Sequence, residues 1–268
     1  IANAIASLSE RHRSVGIGVA VAALVDRRQA LLPFATHLPV RATPFPAMLE
    51  QSTGHSINID NDATAAMWAE WQLGAARGSD ECLMVSVGTG VGGGAVSGGD
   101  LQRGFNGMAG EIGHLRFVPD GLLCACGLRG CWEQYASGRT LDRWAHEQLA
   151  ASTPVAQLLV AEAGDAEQVS GKTVSRLAAA GVPQAADCLR ELGRNLGIGM
   201  ASLASLLDPE LIVVGGGLIE TGELLLAPAR QALAEHIFGS GHRQLPDIVP
   251  AQLGPDAALI GAAGLAPA

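Results

Sequence analysis

Three cysteines and a histidine form the densest group of potential metal ligands in the chain. His114 precedes Cys124 by ten residues, and Cys126 and Cys131 complete a C-x-C-x4-C pattern. One imidazole nitrogen and three thiolates suit a tetrahedral zinc ion, and a complete set without an open position favours a structural zinc over a catalytic one. The alternative is that three cysteines of a reduced loop fall together by chance.

The cysteine count also bears on the compartment. Five cysteines are an odd number, which fits a fully paired disulfide framework poorly. Cys82 and Cys188 stand alone in apolar surroundings, and we expect both to be buried core thiols. No basic-then-apolar signal peptide opens the chain, so we expect a cytoplasmic protein.

A carboxylate follows one of the predicted strands. Asn61 and Asp62 come directly after residues 56–60 and precede a helical pattern over 63–76. A side chain at such a junction projects into a cleft, where a carboxylate can take a proton from a substrate hydroxyl. The alternative is that Asp62 is an ordinary helix N-cap.

Two further acidic residues flank the cysteine cluster. Glu111 and His114 are three residues apart and would share one face of a helical turn, while Glu133 follows Cys131 by two residues. Carboxylates and an imidazole around one pocket suit a polyhydroxylated ligand. They could equally be surface charges beside a structural zinc.

Glycine-rich segments follow two buried apolar runs. The first contains Gly88, Thr89, Gly90 and Gly92 in the sequence GTGVGGG, and the second is Gly215–Gly217. Glycines let backbone N–H groups approach a phosphate closely, although either segment could be a simple turn. No P-loop pattern GxxxxGK[ST] occurs.

The surrounding pattern mixes helices and strands. Short β-branched runs predict a strand that runs into a loop over 14–26, and strands over 56–60, 82–87, 211–214 and 247–252, with another near 95–96. Periodicity predicts helices over 1–13, 46–53, 63–76, 139–150, 154–163, 171–180, 183–207, 221–236 and 256–264. Prolines predict an irregular segment over 31–46. This order indicates an α/β fold.

Composition excludes several classes of protein. The chain has 268 residues, of which 48% are hydrophobic, so it can bury a substantial core and is not disordered. Its net charge of −9 and single lysine, Lys172, disfavour a nucleic-acid or anionic membrane surface. No apolar run is long enough to cross a bilayer.

Taken together, the motifs resemble the ROK family of bacterial sugar kinases and sugar-responsive repressors. The resemblance runs from about residue 15 to the end and rests on NDATAA, GTGVGGG, AGEIGH, CACGLRGCWEQYASG, VVGGGL and LIGAAGLA. It implies a two-domain actin-like ATPase (ribonuclease H-like) α/β fold. The small domain, 1–60 plus 257–268, is incomplete at its N-terminus, and the large domain, 61–256, carries a zinc-stabilised loop.

The resemblance also implies an activity, namely ATP-dependent phosphorylation of a hexose, with glucose and its 6-hydroxyl favoured. In the family pattern the catalytic base is Asp62, and the sugar is held by Asn61, Asp62, Glu111, His114 and Glu133. The structural zinc is bound by His114, Cys124, Cys126 and Cys131. ATP with Mg²⁺ contacts Gly88, Thr89, Gly90, Gly92, Gly215, Gly216 and Gly217. A homodimer or homotetramer is implied as well.

The chain departs from the family pattern at three places, and Thr64 in place of a second asparagine is a milder change. After Gly16-Ile17-Gly18 the family usually reaches a further glycine within a short loop, whereas here the run 19–23 is longer. The family opens with D-x-G-G-T-K, which is not found in this sequence, and we expect it in a segment upstream of Ile1. Thr36-His37 stands where the family has Pro-Asn, a sugar contact. Two alternatives therefore stay open: a ROK-type sugar-responsive repressor with an upstream DNA-binding domain, and a catalytically impaired sugar-binding homologue.

Overall fold

The computed structural model describes residues 1–9, 11 and 16–267. It falls into two compact units: unit 1 comprises Ile1–Met84, Gly93–Glu111 and Ala251–Ala268, and unit 2 comprises Val85–Gly92 and Ile112–Pro250. These boundaries differ from the predicted small domain of 1–60 plus 257–268 and large domain of 61–256. That assignment of domains stays a prediction.

Helices and strands alternate along most of the chain, as expected for an α/β fold. The helices are α1 (Ala2–Ser9), α2 (Phe45–Thr53), α3 (Asp62–Leu73), α4 (Glu133–Ala136), α5 (Gly138–Ala150), α6 (Pro154–Ala163), α7 (Gly171–Ala179), α8 (Pro183–Leu207), α9 (Glu223–His236) and α10 (Ala257–Gly264). The strands are β1 (Ile17–Val21), β2 (Leu32–Phe34), β3 (Arg41–Thr43), β4 (Ile57–Asn61), β5 (Cys82–Val87), β6 (Val91–Ser97), β7 (Asp100–Leu101), β8 (Leu211–Gly215) and β9 (Asp247–Pro250).

The strands form one larger sheet and two small pairs. The five-stranded sheet has the order β7-β6-β5-β8-β9. In it β8 and β9 are parallel, with Ile212 opposite Ile248, while β6 and β7 are antiparallel. Strand β1 pairs in parallel with β4, with Val19 opposite Ile59, and β2 pairs antiparallel with β3.

The core of unit 1 is a helix pair packed on the β1–β4 pair. Helix α10 lies so close to α3 that a Cβ atom on Gly261 would stand 1.8 Å from the carbonyl oxygen of Ala65. A Cβ on Gly18 of β1 would likewise meet the carbonyl oxygen of Ala262 at 1.7 Å. Only glycine permits such backbone contact, so these positions determine how closely the elements around α3 pack.

Helix α8 organises unit 2. A Cβ on Gly197 would lie 2.1 Å from the carbonyl oxygen of Ala229, so α9 packs directly against the backbone of α8. Trp132 is fully buried, and its Nε1 donates to the carbonyl oxygen of Asn195 on α8 at 2.9 Å. Because Trp132 lies between Cys131 and Glu133, this contact fixes the short helix α4 and the end of the cysteine loop.

Most of the predicted elements are confirmed. Helices α2, α5, α6, α7 and α8 begin and end within one residue of the predicted ranges, and Gly54 ends α2 with φ of +70°. Residues 10 and 12–15, which include part of the predicted first helix and first strand, lie outside the described residues.

Three predictions are corrected by the structure. The segment 31–46 is not irregular throughout, since β2 and β3 pair within it despite its prolines. Residues 91–94 are not a loop, because β6 already begins at Val91. Cys82 is buried as predicted, but Cys188 on α8 is only partly buried.

One expectation concerned membranes. Within the described ranges, no helix is both long enough and apolar enough to cross a bilayer.

Candidate active site and metal centre

Asn61 is the N-cap of helix α3. Its Oδ1 accepts hydrogen bonds from the backbone N–H groups of Ala63 at 2.9 Å and Thr64 at 3.1 Å. Its Nδ2 donates to the carbonyl oxygen of Ala23 at 3.3 Å. These contacts satisfy N–H groups that the first turn of a helix leaves unpaired, and they use most of the hydrogen-bonding capacity of the amide.

Asp62 is therefore the first residue inside the helix and not its cap. Its Oδ1 accepts one hydrogen bond, from the backbone N–H of Ala63 at 3.0 Å. Burial raises the pKa of the Asp62 carboxyl above the usual aspartate range, and the backbone donors offset only part of this effect. A carboxylate with a raised pKa is suited to accept a proton from a hydroxyl group near neutral pH.

The predicted metal ligands converge in unit 2. One ligand atom from each of His114, Cys124, Cys126 and Cys131 lies within 4.8 Å of all the others. The Sγ atoms of Cys126 and Cys131 are 3.6 Å apart, and Cys124 Sγ is 3.7 Å from His114 Nδ1. Zinc–sulfur bonds of about 2.3 Å at tetrahedral angles place two sulfurs about 3.8 Å apart, so the distance between Cys126 and Cys131 suits a shared metal ion, and the four residues form a candidate metal site.

Backbone hydrogen bonds and a tight glycine turn shape the loop. The N–H of Cys124 donates to the carbonyl oxygen of Leu128 at 2.8 Å, and the N–H of Gly130 donates to that of Leu122, also at 2.8 Å. Gly130 has φ of +75°, and a Cβ there would stand 1.7 Å from the carbonyl oxygen of Val118. The loop thus turns back tightly enough to bring Cys131 beside Cys126.

Glu133 connects the cysteine loop with the first glycine segment. Its side chain is buried, with Oε1 accepting from Cys124 Sγ at 3.2 Å and Oε2 accepting from the backbone N–H of Val91 at 3.4 Å. A Cβ on Gly90 would lie 2.5 Å from Oε2, so only glycine leaves room for this carboxylate. Burial, with the nearby Glu133 adding to its effect, raises the pKa of the Cys124 thiol to about 12. That thiol therefore keeps its proton unless a cation replaces it.

The two glycine segments meet at the ends of β5 and β8. Gly216 has φ of +85°, and a Cβ there would stand 2.4 Å from the carbonyl oxygen of Val87. A Cβ on Gly88 would be 4.0 Å from the backbone nitrogen of Gly217. The structure thus brings Gly88 and Gly216–Gly217 together, with Thr89 and Gly217 exposed, while Gly215 is buried within β8 and Gly92 lies in β6.

The segment from Glu111 to His114 contains a short helical turn. Residues Ile112–His114 form one turn of 3-10 helix, and Glu111 precedes it with an exposed side chain. His114 is partly buried and points its Nδ1 toward Cys124.

The candidate residues are divided between the two units. Unit 1 contains Asn61, Asp62 and Glu111. Unit 2 contains the four metal-ligand candidates, Glu133 and the candidate nucleotide-binding residues of both glycine segments, Gly88–Gly92 and Gly215–Gly217. Within unit 2 the structure brings His114, the cysteines, Glu133 and Gly90 into one connected group.

The sequence analysis overlooked two residues that help to position the candidate site residues. Trp132 holds α4 to α8, and its only sequence signal is a large aromatic residue between Cys131 and Glu133. Asp60 is 2% exposed and pairs with two arginines directly before Asn61. A carboxylate at the end of an otherwise apolar strand was the available signal, because such a group needs a partner when buried.

Comparison with known proteins supplies independent evidence. The model of the ROK family matches residues 1–268. A glucokinase of Streptomyces coelicolor is 42% identical over 267 residues, which cover 99% of this chain and 84% of that protein. The xylose repressor of Bacillus subtilis is 27% identical over 247 residues, covering 92% of this chain and 59% of the repressor.

A solved structure agrees with the sequence comparisons. The ROK family glucokinase of Streptomyces griseus, determined in complex with glucose and AMPPNP, superimposes with a TM-score of 0.90 at 42% identity. The match covers 99% of this chain and 87% of that structure. The fold is thus the two-domain α/β fold of the actin-like ATPases. Within this class, the chain belongs to the ROK family.

Proposed function

We propose that this protein is an ATP-dependent hexose kinase that converts glucose to glucose 6-phosphate. The observation that carries the proposal is the placement of Asp62: it is half-buried at a strand-to-helix junction, has a raised pKa, and is released from capping by Asn61. The 42% identity to glucokinases, compared with 27% to a xylose repressor, supports the kinase over the repressor.

In this proposal Asp62 accepts a hydrogen bond from the 6-hydroxyl and takes its proton as the phosphoryl group is transferred. Phosphoryl transfer depends mainly on positioning and charge stabilisation, so the base also serves to aim the hydroxyl oxygen. Asn61 keeps one amide hydrogen beyond its bond to Ala23, and that hydrogen can meet a sugar hydroxyl.

Glu111, His114 and Glu133 complete the proposed sugar contacts. The Oε1 atom of Glu133 accepts from the Cys124 thiol in this structure. A metal-bound Cys124 has no thiol proton to donate, so this oxygen is then available to a sugar hydroxyl. Zinc would supply a fixed tetrahedral centre that orients His114, and no bond of the substrate would change at the metal.

We further propose that ATP with Mg²⁺ is held at the glycine segments. Backbone N–H groups at Thr89 and Gly90 would face the phosphates, while the N–H of Gly88 donates to the carbonyl oxygen of Gly90 and closes the turn. The exposed Gly217 would lie beside adenosine. Mg²⁺ would neutralise charge on the phosphates. Reduced thiols around the metal fit a cytoplasmic protein, and we propose a homodimer or homotetramer.

The proposal is tested by Asp62→Asn in the protein with its natural N-terminus, assayed by coupled ADP release with a panel of hexoses. A positioned base contributes about 10²- to 10⁴-fold, so we expect kcat to fall by roughly that factor. Glucose binding, measured by calorimetry, should remain detectable. Asp187→Asn, at an exposed ion pair with Arg190, is the matched control and should keep wild-type turnover.

Two outcomes would contradict the proposal. Unchanged turnover in Asp62→Asn would show that Asp62 is not the catalytic base. Wild-type protein that binds a sugar but phosphorylates none of the hexoses would favour the repressor or the impaired sugar-binding homologue.

A further inference from the structure

A buried carboxylate lies directly before the proposed catalytic residues. Asp60 is the fourth residue of β4, and its side chain is 2% exposed. Its Oδ1 accepts a hydrogen bond from the backbone N–H of Asn61 at 3.1 Å. The carboxylate is therefore in direct contact with the backbone from which Asn61 and Asp62 project.

Two arginines converge on the other oxygen of Asp60. Arg103 places both Nε and Nη2 2.8 Å from Oδ2, and Arg27 Nη1 lies 3.3 Å from the same atom. A buried carboxylate is tolerated when paired charges and hydrogen bonds compensate it. Side-on contact by a planar guanidinium also restricts orientation more than a point charge would.

The arginines come from two segments that are otherwise irregular. Arg27 follows β1, and its N–H donates to the carbonyl oxygen of Asn106 at 2.9 Å. Arg103 follows β7 and begins the segment that leads to Glu111; its carbonyl oxygen accepts from the N–H of Ala109 at 3.0 Å. Asp60 of β4 thus connects three segments of unit 1: β4 itself, the segment with Arg27 and the segment with Arg103.

Glycine allows these segments to pack closely. Gly107 has φ of +95°, and a Cβ there would stand 2.6 Å from Cγ of Arg27 and 3.0 Å from the carbonyl oxygen of Val25. The stem of Arg27 therefore packs directly against Gly107 of the second segment, although the side chain is 38% exposed. The guanidinium of Arg27 thus links that segment to Asp60.

We propose that Asp60, with Arg27 and Arg103, is a positioning residue for phosphoryl transfer. The carboxylate holds the β4–α3 junction, and therefore Asp62, in a fixed position relative to the segment that carries Glu111. This inference rests on the proposed kinase function. It assigns Asp60 no contact with the sugar or with ATP.

The test compares Asp60→Asn with wild type in steady-state kinetics and hydrogen exchange. The amide of asparagine preserves size and the acceptor for the Asn61 N–H, but it removes the charge that both arginines need. Because a displacement of about 1 Å can cost about 10²-fold in rate, we expect kcat to fall at least about 10-fold while KM for ATP stays within about twofold. Asp187→Asn should leave kcat unchanged.

Arginine variants separate positioning from a general loss of stability. Arg103→Lys keeps a positive charge near Asp60 and should retain more of kcat than Arg103→Met. If Asp60 and Arg103 act as one unit, the double variant Asp60→Asn/Arg103→Met should be no slower than the slower single variant. Multiplicative losses in the double variant, or unchanged kcat in folded Asp60→Asn, would overturn the inference.

Hydrogen exchange gives a readout that is independent of activity. Asp60→Asn should accelerate exchange in peptides covering 26–31 and 102–110 and leave those covering α5 unchanged. Unaltered exchange would overturn the role of Asp60 in holding these segments, even in an active kinase. Wild-type protein that phosphorylates no hexose would overturn the proposed function and, with it, the expected effect of Asp60 on kcat. Hydrogen exchange would in that case still decide whether Asp60 holds the two segments.

Discussion

At the scale of single residues, neighbours in sequence have separate tasks. Asn61 and Asp62 are adjacent and both are able to cap a helix, but Asn61 accepts from the N–H groups of both Ala63 and Thr64 through one oxygen, whereas Asp62 accepts from that of Ala63. The charge on Asp62 is consequently not needed for the usual cap. A half-buried carboxylate without that structural task is a reasonable site for proton transfer.

The raised pKa of Asp62 predicts how activity depends on pH. In the proposed role of base Asp62 must be ionised, so kcat/KM should decline on acidification at a pH above the ordinary aspartate value of about 3.9. A pH–rate profile with circular dichroism at each pH measures this decline in folded protein. Full activity down to about pH 4 would contradict it.

The same shift has a consequence for stability. A carboxyl group whose pKa is higher in the folded state stabilises the fold when protonated, and this contribution is lost as pH rises through the folded-state pKa. At neutral pH the ionised Asp62 therefore opposes folding. Asp62→Asn should have a melting temperature at pH 7 equal to or above that of wild type, and a clear decrease would argue against desolvation as the cause of the shift.

At the scale of elements, the cysteine loop combines tight backbone turns with a ligand set that fits zinc. Its ligands are spread over 18 residues from His114 to Cys131, and the backbone bonds around Leu128 and Gly130 shape it from within. Trp132 then attaches the end of the loop to α8. Disturbing the turn should therefore affect metal binding and unit 2 together.

Two glycines of this loop form a matched pair for that prediction. Gly127 and Gly130 both have positive φ, +90° and +75°, but only at Gly130 would a Cβ collide with backbone, 1.7 Å from the Val118 carbonyl oxygen. At Gly127 nothing lies within 4 Å of the added atom. Gly127→Ala should cost about 1 kcal/mol of strain, whereas Gly130→Ala should cost several times more.

Elemental analysis and thermal melting measure this difference. Wild type and Gly127→Ala, purified without chelator, should each hold one zinc ion per chain, and Gly130→Ala should hold less and melt at a lower temperature. Equal zinc content in all three proteins would show that metal binding does not depend on the turn at Gly130. If wild-type protein holds no bound metal, zinc has no part in the proposed function.

At the scale of the whole molecule, distant parts of the chain complete each unit. Glu70 on α3 is fully buried, and its carboxylate accepts from the backbone N–H groups of Ala75 at 2.8 Å, Gln252 at 3.2 Å and Leu253 at 2.8 Å. It joins the end of α3 to the segment that returns from β9 to unit 1. Three backbone donors on one buried carboxylate are a strong local constraint.

Replacing this carboxylate should weaken unit 1 selectively. Glu70→Gln puts an amide against backbone N–H groups and should lower the free energy of unfolding by about 2–5 kcal/mol, because hydrogen bonds to buried charged groups are costly to lose. Urea unfolding measures the total, and hydrogen exchange should locate the faster amides in α3 and α10. Exposed Glu167 provides the control Glu167→Gln; equal stability of the two variants would contradict the role of Glu70.

The sequence by itself determined what depends on short spacing. The candidate metal ligands, the helices of 139–207 and the glycine segments are local patterns, and their periodicity or spacing is readable without a fold. The prolines of 31–46 misled the prediction, because β2 and β3 pair in spite of them. A proline prevents donation only at its own position, and pairing also depends on the partner strand.

Only the tertiary structure decided which of these groups act together. Asp60 meets Arg27 and Arg103 across 33 and 43 residues, and Glu133 reaches Val91 across 42. Contacts between residues so far apart in sequence produce no periodic pattern in it, since they depend on how strands and loops pack. The same packing buries much of Asp62 and thereby raises the pKa of its carboxyl, whereas the cap by Asn61 is a local contact.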